Sequence, residues 1–364
     1  MSLIGFNFDA TISRYYFDYD KKNFSTFIGN GLFVSLASAL PLAIVIALIN
    51  SITDNFFEFP SNWLWFVLMF SLSSKIIEIQ LSLWRVQSRA TAYGVFRILR
   101  TFLEIGASVL IITLAASNWK GRVIGQLIAA FLFGVLGFVY LFKVSRGVFA
   151  NKKTIREIII FGWPLIPHEL GAMVIVFSDR LMLMEMVGVD AAGIYSVGYQ
   201  IGLVIGLLQN SFNQAWVPWF YKKLFDGKFE DKLSIVKITY LYNLGMLVLV
   251  AGLIVSVPFI FHFLGREFEE ASKFVLWIGL GFAFNGMYKM IVNYLFFLKK
   301  TYLVGAITIT TAIINIMLTF VFIKAFGAVG AAYGTASALF IQFILTWIVV
   351  IKTYEMPWLL NYRH

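Results

Sequence analysis

Residues 161–202 of the chain read FGWPLIPHELGAMVIVFSDRLMLMEMVGVDAAGIYSVGYQIG. Two apolar runs in this stretch are separated by a short turn that contains glycine. The runs extend outward to Ile158–Met186 and Ile194–Trp216. Each is long enough to supply the ~20 apolar residues that a membrane-spanning helix requires. The stretch therefore predicts two consecutive transmembrane helices.

The rest of the chain has the same character. Of its 364 residues, 60% are hydrophobic and 13% are charged, whereas a soluble domain carries about 25% charged residues. Cysteine is absent, which excludes disulfides and cysteine-ligated metals. Eight further apolar segments can be marked: Phe27–Ile49, Pro60–Leu83, Tyr93–Ser117, Val123–Phe142, Ile235–Phe263, Phe274–Leu298, Tyr302–Ala325 and Gly330–Ile351. We predict an all-α integral membrane protein of about ten transmembrane helices.

The formal net charge of +10 follows from an uneven distribution of basic residues. With a cytoplasmic N-terminus, the outer loops hold five: Lys120, Arg122, Arg266, Lys273 and Lys324. The inner loops hold eighteen: Arg14, Lys21, Lys22, Arg85, Arg89, Lys143, Arg146, Lys152, Lys153, Arg156, Lys222, Lys223, Lys228, Lys232, Lys299, Lys300, Lys352 and Arg363. Cytoplasmic loops of membrane proteins are enriched in Lys and Arg. We therefore predict that both termini are cytoplasmic, and the charge does not indicate a nucleic-acid partner.

A basic loop, Lys143–Glu157, separates four apolar segments from the six that follow it. It predicts two lobes, residues 1–150 and 151–364. Many transporters consist of two repeats with equal helix counts, and equal halves require two more helices at the front. Residues 7–17 (NFDATISRYYF) also align weakly with residues 211–221 (SFNQAWVPWFY). We therefore expect residues 1–13 to be the last turns of a second helix, in an N-terminally truncated chain.

Several motifs carry a resemblance to a known family. They are FGxPLIPH from Phe161, DRLML from Asp179, GIYSVGYQIG from Gly193 and AWVPWFY from Ala215. Weaker echoes are SRYYFDYD at 13–20, RILRTFLE at 97–104 and AFGAVGAAYGTA at 325–336. In these motifs the chain resembles the polysaccharide (O-antigen, Wzx-type) flippases of the multidrug/oligosaccharidyl-lipid/polysaccharide exporter superfamily.

The resemblance implies a twelve-helix MATE-like exporter fold, here lacking its first two helices. It implies a multi-pass transporter in the bacterial cytoplasmic (inner) membrane that acts in surface polysaccharide or lipopolysaccharide biosynthesis. The implied substrate is an undecaprenyl-pyrophosphate-linked oligosaccharide, with coupling to a proton or sodium gradient. Further expected partners are membrane lipid and other membrane proteins of polysaccharide assembly. No cofactor and no enzymatic activity are implied.

Charged residues inside the apolar segments are candidates for the transport pathway, because intramembrane charge is expensive and usually faces the bundle interior. The substrate-binding candidates are Lys75, Arg97, Arg100, Arg180 and Lys289. Arginine in particular presents a planar fork that suits a phosphate group. The alternative is structural pairing along one helix, because Arg100 and Glu104 are four residues apart and Lys75 and Glu78 three.

The candidates for ion coupling are the intramembrane carboxylates of Glu78, Glu104 and Asp179. Asp179 and Arg180 are adjacent, so their side chains point to different faces of one helix. Both could instead fix helix packing. A glycine face at Gly198, Gly202 and Gly206 predicts close packing against another helix.

The sequence contains no recognisable catalytic set and no metal-binding spacing among its three histidines. A drug exporter or a lipid II flippase of the same superfamily is the nearest alternative function. A membrane glycan polymerase or ligase is disfavoured because the longest outer loop, Asn50–Phe59, is short. A fragment that does not transport is a third alternative.

The distribution of basic residues yields a topology that can be measured. Reporter fusions at His364 should be active only with a cytoplasmic reporter, and fusions at Asn55 only with a periplasmic one. A periplasmic His364 would contradict the predicted orientation.

Overall fold

The fold was analysed in a computed structural model that describes residues 3–56, 59–115 and 118–360. The α-helices in these ranges are α1 (Phe8–Tyr15), α2 (Lys21–Ile52), α3 (Leu64–Val86), α4 (Ala90–Ala115), α5 (Asn118–Ser145), α6 (Lys152–Gly162), α7 (Leu165–Met186), α8 (Val189–Asp226), α9 (Phe229–Leu264), α10 (Ser272–Phe297), α11 (Thr301–Phe326) and α12 (Val329–Thr353). Short 3-10 helices cover Ile4–Asn7, Ser61–Trp63 and Arg266–Ala271. Two two-residue strands, β1 (Asn55–Phe56) and β2 (Phe59–Pro60), pair antiparallel.

The predicted transmembrane segments correspond to long helices. Nine spans of the described chain are long and apolar enough to cross a membrane, with α6 and α7 together forming one of them. The remaining predicted segment, Tyr93–Ser117, corresponds to α4, whose 26 residues are about 39 Å long. The prediction of an all-α membrane fold is therefore confirmed. Only helices and closed barrels satisfy their backbone hydrogen bonds within hydrocarbon.

Helices α8 and α9 are longer than their apolar runs predict. They contain 38 and 36 residues, or roughly 57 and 54 Å, compared with about 30 Å for the hydrocarbon core. The turn between them uses Gly227 at φ 67°. Lys223 and Asp231 form an ion pair of 2.6 Å across this turn. Both helices therefore extend well past the apolar layer at their shared, basic end.

The described chain divides into two compact units, Met1–Ile166 and Pro167–His364. The division lies later than the boundary predicted at residue 150, because α6 packs against α1 and α2 of the first unit. Much of the predicted loop Lys143–Glu157 is helical. The side chain of Asn151 caps α6 by accepting hydrogen bonds from the backbone N–H groups of Lys153 and Thr154 at 3.0 and 3.3 Å. An N-cap of this kind satisfies donors that the first helical turn leaves without partners.

The core of the first unit is built around its N-terminal segment. Phe8 is fully buried, and its ring lies so close to Gly31 that any side chain there would overlap it. Gly162 likewise meets the backbone carbonyl of Phe6. The backbone N–H of Gly5 donates to Ser38 Oγ at 2.8 Å. Residues 4–15 are therefore an integral part of this unit.

Helix α10 is the central helix of the second unit and packs against α8, α9 and α12. The predicted glycine face is confirmed, because a Cβ at Gly198 would lie 2.8 Å from the carbonyl oxygen of Ala271, and one at Gly202 would lie 3.0 Å from Cβ of Ile278. These glycines allow α8 and α10 to approach closely.

We predict that Gly202→Ala destabilises the protein by about 1–3 kcal/mol, because overpacking forces side-chain and backbone shifts. Gly193→Ala, on the same helix with open space around it, is the matched control and should stabilise by up to about 1 kcal/mol. Melting curves in detergent give both values. Equal melting temperatures for the two variants would contradict the close packing.

Candidate functional site

The second unit contains a cavity of about 250 Å³. Its walls come from α7, α8, α10, α11 and α12. Polar groups reach it from several of these helices: His168, Asn285, Tyr288, Lys289, Thr335 and Gln342. The remaining walls are mainly apolar, including Ile175 and Leu339. An apolar cavity with a few convergent polar groups is the usual form of a ligand site.

Lys289 is the lysine of this cavity and one of the residues predicted from sequence. Its Nζ donates a hydrogen bond to Oδ1 of Asn210 on α8. Two similar contacts between α8 and α10 lie on either side of it. Gln209 Nε2 donates to Asn285 Oδ1 at 3.1 Å, and Asn293 Nδ2 donates to the side-chain oxygen of Asn213 at 3.2 Å. Among the residues that the structure describes, the Lys289 ammonium is therefore bound by a neutral amide and has no carboxylate within ion-pair distance.

His168 belongs to a second polar group in the cavity wall. Its Nδ1 lies 2.7 Å from Oγ1 of Thr308. The hydroxyl of Thr308 donates to the carbonyl oxygen of Val304 at 3.0 Å and accepts from Gln342 Nε2 at 3.3 Å. A threonine hydroxyl has one proton. With its proton directed at Val304, the Thr308 hydroxyl accepts the hydrogen bond from His168 Nδ1.

Asp179, a predicted ion-coupling residue, lies just behind the cavity wall with 1% of its surface exposed. Its carboxylate accepts a hydrogen bond of 2.6 Å from Tyr195 on α8. It also accepts from Thr335 Oγ1 on α12, which lies 2.7 and 2.8 Å from its two oxygens. Both donors line the cavity. A buried carboxylate is costly unless it is hydrogen-bonded, and these contacts account for its burial.

The network around Asp179 continues to α11. Asn315 Nδ2 donates to Thr335 Oγ1 at 3.0 Å, and the Asn315 Oδ1 accepts from Ser178 at 2.8 Å. Ser178 thus donates to Asn315, Asn315 donates to Thr335, and Thr335 donates to the carboxylate of Asp179. Sequence reasoning missed Tyr195, Asn315 and Thr335, whose only signal was a polar residue inside an apolar run.

Arg180 points away from its neighbour, as the helical periodicity predicts. Its guanidinium lies over the ring of Tyr199, 4.3 Å from the centroid, and Nε donates to Ser196 Oγ at 3.3 Å. Tyr199 lines the cavity. Arg180 therefore contacts a wall residue of the cavity and is not itself part of the wall.

The other predicted residues lie in the first unit. Lys75 is buried, and its Nζ forms an ion pair of 2.8 Å with Asp9 on α1. The alternative of pairing with Glu78 along α3 is therefore wrong, because α1 packs against α3 and brings a carboxylate closer. Glu104 accepts from Gln126 Nε2 at 3.2 Å. The alternative pairing of Glu104 with Arg100 does not form either.

Arg97 and Arg100 are on one face of α4. Arg97 donates to the hydroxyl of Tyr93 at 2.9 Å. Glu78 on α3 interacts electrostatically with both arginines. These residues therefore form a polar cluster in the first unit, distinct from the cavity of the second.

Comparisons with known proteins agree with this fold. The family model described as "Polysaccharide biosynthesis protein" matches residues 1–223. An uncharacterized membrane protein of Haemophilus influenzae is 22% identical over 310 residues, which is 82% of this chain and 72% of the relative.

Among solved structures, the MATE transporter ClbM in complex with Rb⁺ superposes with a TM-score of 0.74 at 16% identity, covering 98% of this chain and 84% of that one. The Vibrio cholerae MATE transporter VcmN in the bent form gives 0.75 at 13% identity, covering 96% and 84%. At these identities the likeness shows the fold alone.

We predict that Tyr195→Phe destabilises the second unit by about 1.5–3 kcal/mol, the value of a hydrogen bond to a charged group. The matched control is Tyr333→Phe on α12, because this hydroxyl makes no hydrogen bond to the described residues while the ring packs on Trp277. It should change stability by less than about 0.5 kcal/mol. Thermal unfolding of both variants measures the difference. A Tyr195 variant as stable as the control would contradict an ionised, hydrogen-bonded Asp179.

Proposed function

This chain belongs to the polysaccharide biosynthesis protein family, and we propose that it is a flippase for lipid-linked oligosaccharide. In this proposal, an oligosaccharide on undecaprenyl pyrophosphate crosses the bacterial cytoplasmic membrane for surface polysaccharide assembly, including O-antigen of lipopolysaccharide. The observation that carries the proposal is the position of Lys289, a cation bound by the neutral side chain of Asn210 at the wall of a mainly apolar cavity.

The chemistry of the cavity suits the polar part of such a substrate. A lysine ammonium has three donors, and one of those on Lys289 is occupied by Asn210. The other two can bind phosphate oxygens. The amides of Asn285 and Gln342 and the hydroxyl of Tyr288 offer partners for sugar hydroxyls. Because the walls of the cavity are mainly apolar, charge-assisted bonds to phosphate are stronger there than in water.

The size of the cavity limits what it holds. Its volume of about 250 Å³ is below the ~300–1,000 Å³ of ordinary small-molecule sites. It therefore accommodates a phosphate group or one sugar rather than a whole oligosaccharide. Recognition of the group common to all lipid-linked precursors would allow the rest of the glycan to vary.

Asp179 supplies the proposed coupling to an ion gradient. Its two hydrogen-bond donors, Tyr195 and Thr335, are also wall residues. Neutralisation of the carboxylate by a proton or a sodium ion weakens these bonds and allows both hydroxyls to reorient. Occupancy of the ion site and the shape of the cavity are thereby linked, as alternating access requires. Glu78 and Glu104 in the first unit are less direct candidates for this role.

Arg180 and Arg100 are proposed to assist phosphate binding. Arg180 is stacked on Tyr199, so that the ring and the guanidinium form one rigid element. Arg100 belongs to the first unit. A lipid-facing arginine near mid-membrane costs at least ~2.5–3.5 kcal/mol on insertion scales, which favours a polar environment for both. Lysine cannot replace the planar fork of either arginine.

We predict that Lys289→Gln lowers glycan export at least about tenfold, because the loss of one charge-assisted bond is worth that factor. Arg180→Ala should also lower export, with partial recovery in Arg180→Lys. The control is Lys273→Gln, which removes an exposed ion pair with Glu270 and should leave export unchanged. Surface glycan at equal protein levels is the readout.

The same cells distinguish the alternative functions. Wild-type export by the Lys289 variant would contradict the proposed site. Efflux of cationic dyes by the wild-type protein, without an effect on surface glycan, would indicate a drug exporter instead.

A further inference from the structure

We propose that the first unit carries its own diphosphate-binding groove, formed by Arg85, Arg97 and Arg100 between α3 and α4. The inference rests on the proposed function for its ligand, a diphosphate attached to a lipid. Beyond the proposed function, the inference assigns a role to Arg85. It also describes a second anion site, made of three guanidinium groups, that is separate from the cavity of the second unit.

Two polar stripes define the groove. On α3, Lys75, Glu78, Ser82 and Arg85 recur at intervals of three or four residues, and such positions share one helix face. On α4, the stripe is Tyr93, Arg97, Arg100 and Glu104. The two helices are antiparallel neighbours joined by a short turn, and α5 packs against both. The arginines therefore come from both walls of one groove.

Tyr93 holds two of the arginines at a fixed separation. The guanidinium carbons of Arg85 and Arg97 lie 5.8 and 5.9 Å from the centroid of its ring. Arg97 also donates to the Tyr93 hydroxyl at 2.9 Å. Cation–π contacts leave the edge N–H groups of a guanidinium available. Arg85 and Arg97 are thus positioned in advance, with donors to spare.

The groove has more positive charge and more donors than its own residues satisfy. Nε of Arg85 and Nε of Arg100 are buried without a hydrogen-bond partner. Throughout the described residues, no carboxylate lies within ion-pair distance of the three arginines. Glu78 is the carboxylate that interacts electrostatically with all three. Because Lys75 and Asp9 neutralise each other, the three arginines together with Glu78 and Glu104 retain one net positive charge, and the unused guanidinium donors suit the oxygens of a diphosphate.

The depth of the arginines suits a lipid headgroup. Arg85 lies at the last turn of α3, and Arg97 in the second turn of α4. Arg100 is about 15 Å from the start of α4. The guanidinium groups therefore form a series that begins at the membrane surface and runs inward. In the proposed topology this end is cytoplasmic, where the substrate is assembled.

The test measures binding of farnesyl diphosphate to the protein in phosphatidylcholine nanodiscs, in a Lys289→Gln background that weakens binding in the second unit. Arg85→Gln, Arg97→Gln and Arg100→Gln should each raise the dissociation constant at least about tenfold, the loss expected for one charge-assisted hydrogen bond. Arg→Lys at the same positions should restore part of the affinity, because the charge remains without the fork.

Arg89→Gln is the matched control, since Arg89 is on the same turn but its guanidinium donates to the hydroxyl of Tyr140. It should leave the dissociation constant within about twofold. Melting curves for all variants establish that they are folded.

Competing ligands distinguish a site for diphosphate from a general site for anionic lipid. Inorganic pyrophosphate should displace the probe, whereas nanodiscs containing phosphatidylglycerol should not. Displacement by phosphatidylglycerol would overturn the proposal and indicate a general site for anionic lipid. Unchanged binding in the three glutamine variants would also overturn it. Neither result affects the export phenotype of the Lys289 variant, so the proposed function is tested independently.

Discussion

The buried carboxylate of Asp179 constrains most of the second unit. A charge in a low-dielectric interior must be hydrogen-bonded, and here the donors come from α8 and α12. Through Asn315 the same network reaches α11. One side chain of α7 is therefore linked by hydrogen bonds, directly or through Thr335, to three other helices. The side chains of Tyr195 and Thr335 also line the cavity, so hydrogen bonds connect the buried carboxylate to the cavity wall.

The first unit stabilises its charges in two other ways. Lys75 is neutralised by Asp9, which α1 brings against α3. The arginines between α3 and α4 have aromatic and neutral partners instead, and Arg85 and Arg100 keep buried donors without acceptors. An ion pair that is internally satisfied has little affinity left for a ligand. Guanidinium groups with unused donors can still bind an anion. The arginine groove is therefore a better candidate for anion binding than Lys75.

The small cavity of the second unit limits how the proposed flippase would recognise a large glycan. Space for a phosphate or one sugar means that affinity depends on the common headgroup, while the variable sugars contribute little. In the proposed function, the cation of Lys289 and the arginines of the first unit bind the same chemical group. The proposed ion-coupling carboxylate, Asp179, lies behind the wall of the cavity that Lys289 lines, and it would give a gradient a physical means to change affinity during the transport cycle.

The sequence predicted the helical class of the fold and the positions of the ten long apolar segments, but not that α6 and α7 are separate helices. Apolar runs of the required length and the scarcity of charge leave no alternative to transmembrane helices. It also identified the glycine face of α8 and the intramembrane charges, because each is a local property of one helix. The apolar runs underestimated the lengths of α8 and α9, because both helices continue into polar residues beyond those runs.

The partners of the charged residues follow from helix packing and could not be read from sequence spacing. Spacing along α3 and α4 suggested Lys75–Glu78 and Arg100–Glu104 pairs, but Asp9 and Gln126 on other helices are closer. Likewise, Tyr195 and Thr335 can donate hydrogen bonds to Asp179 only when α8 and α12 pack against α7. In an apolar environment a charge takes the best donor or acceptor that any neighbouring helix presents. Helix packing therefore selects the partner, and sequence separation does not predict it.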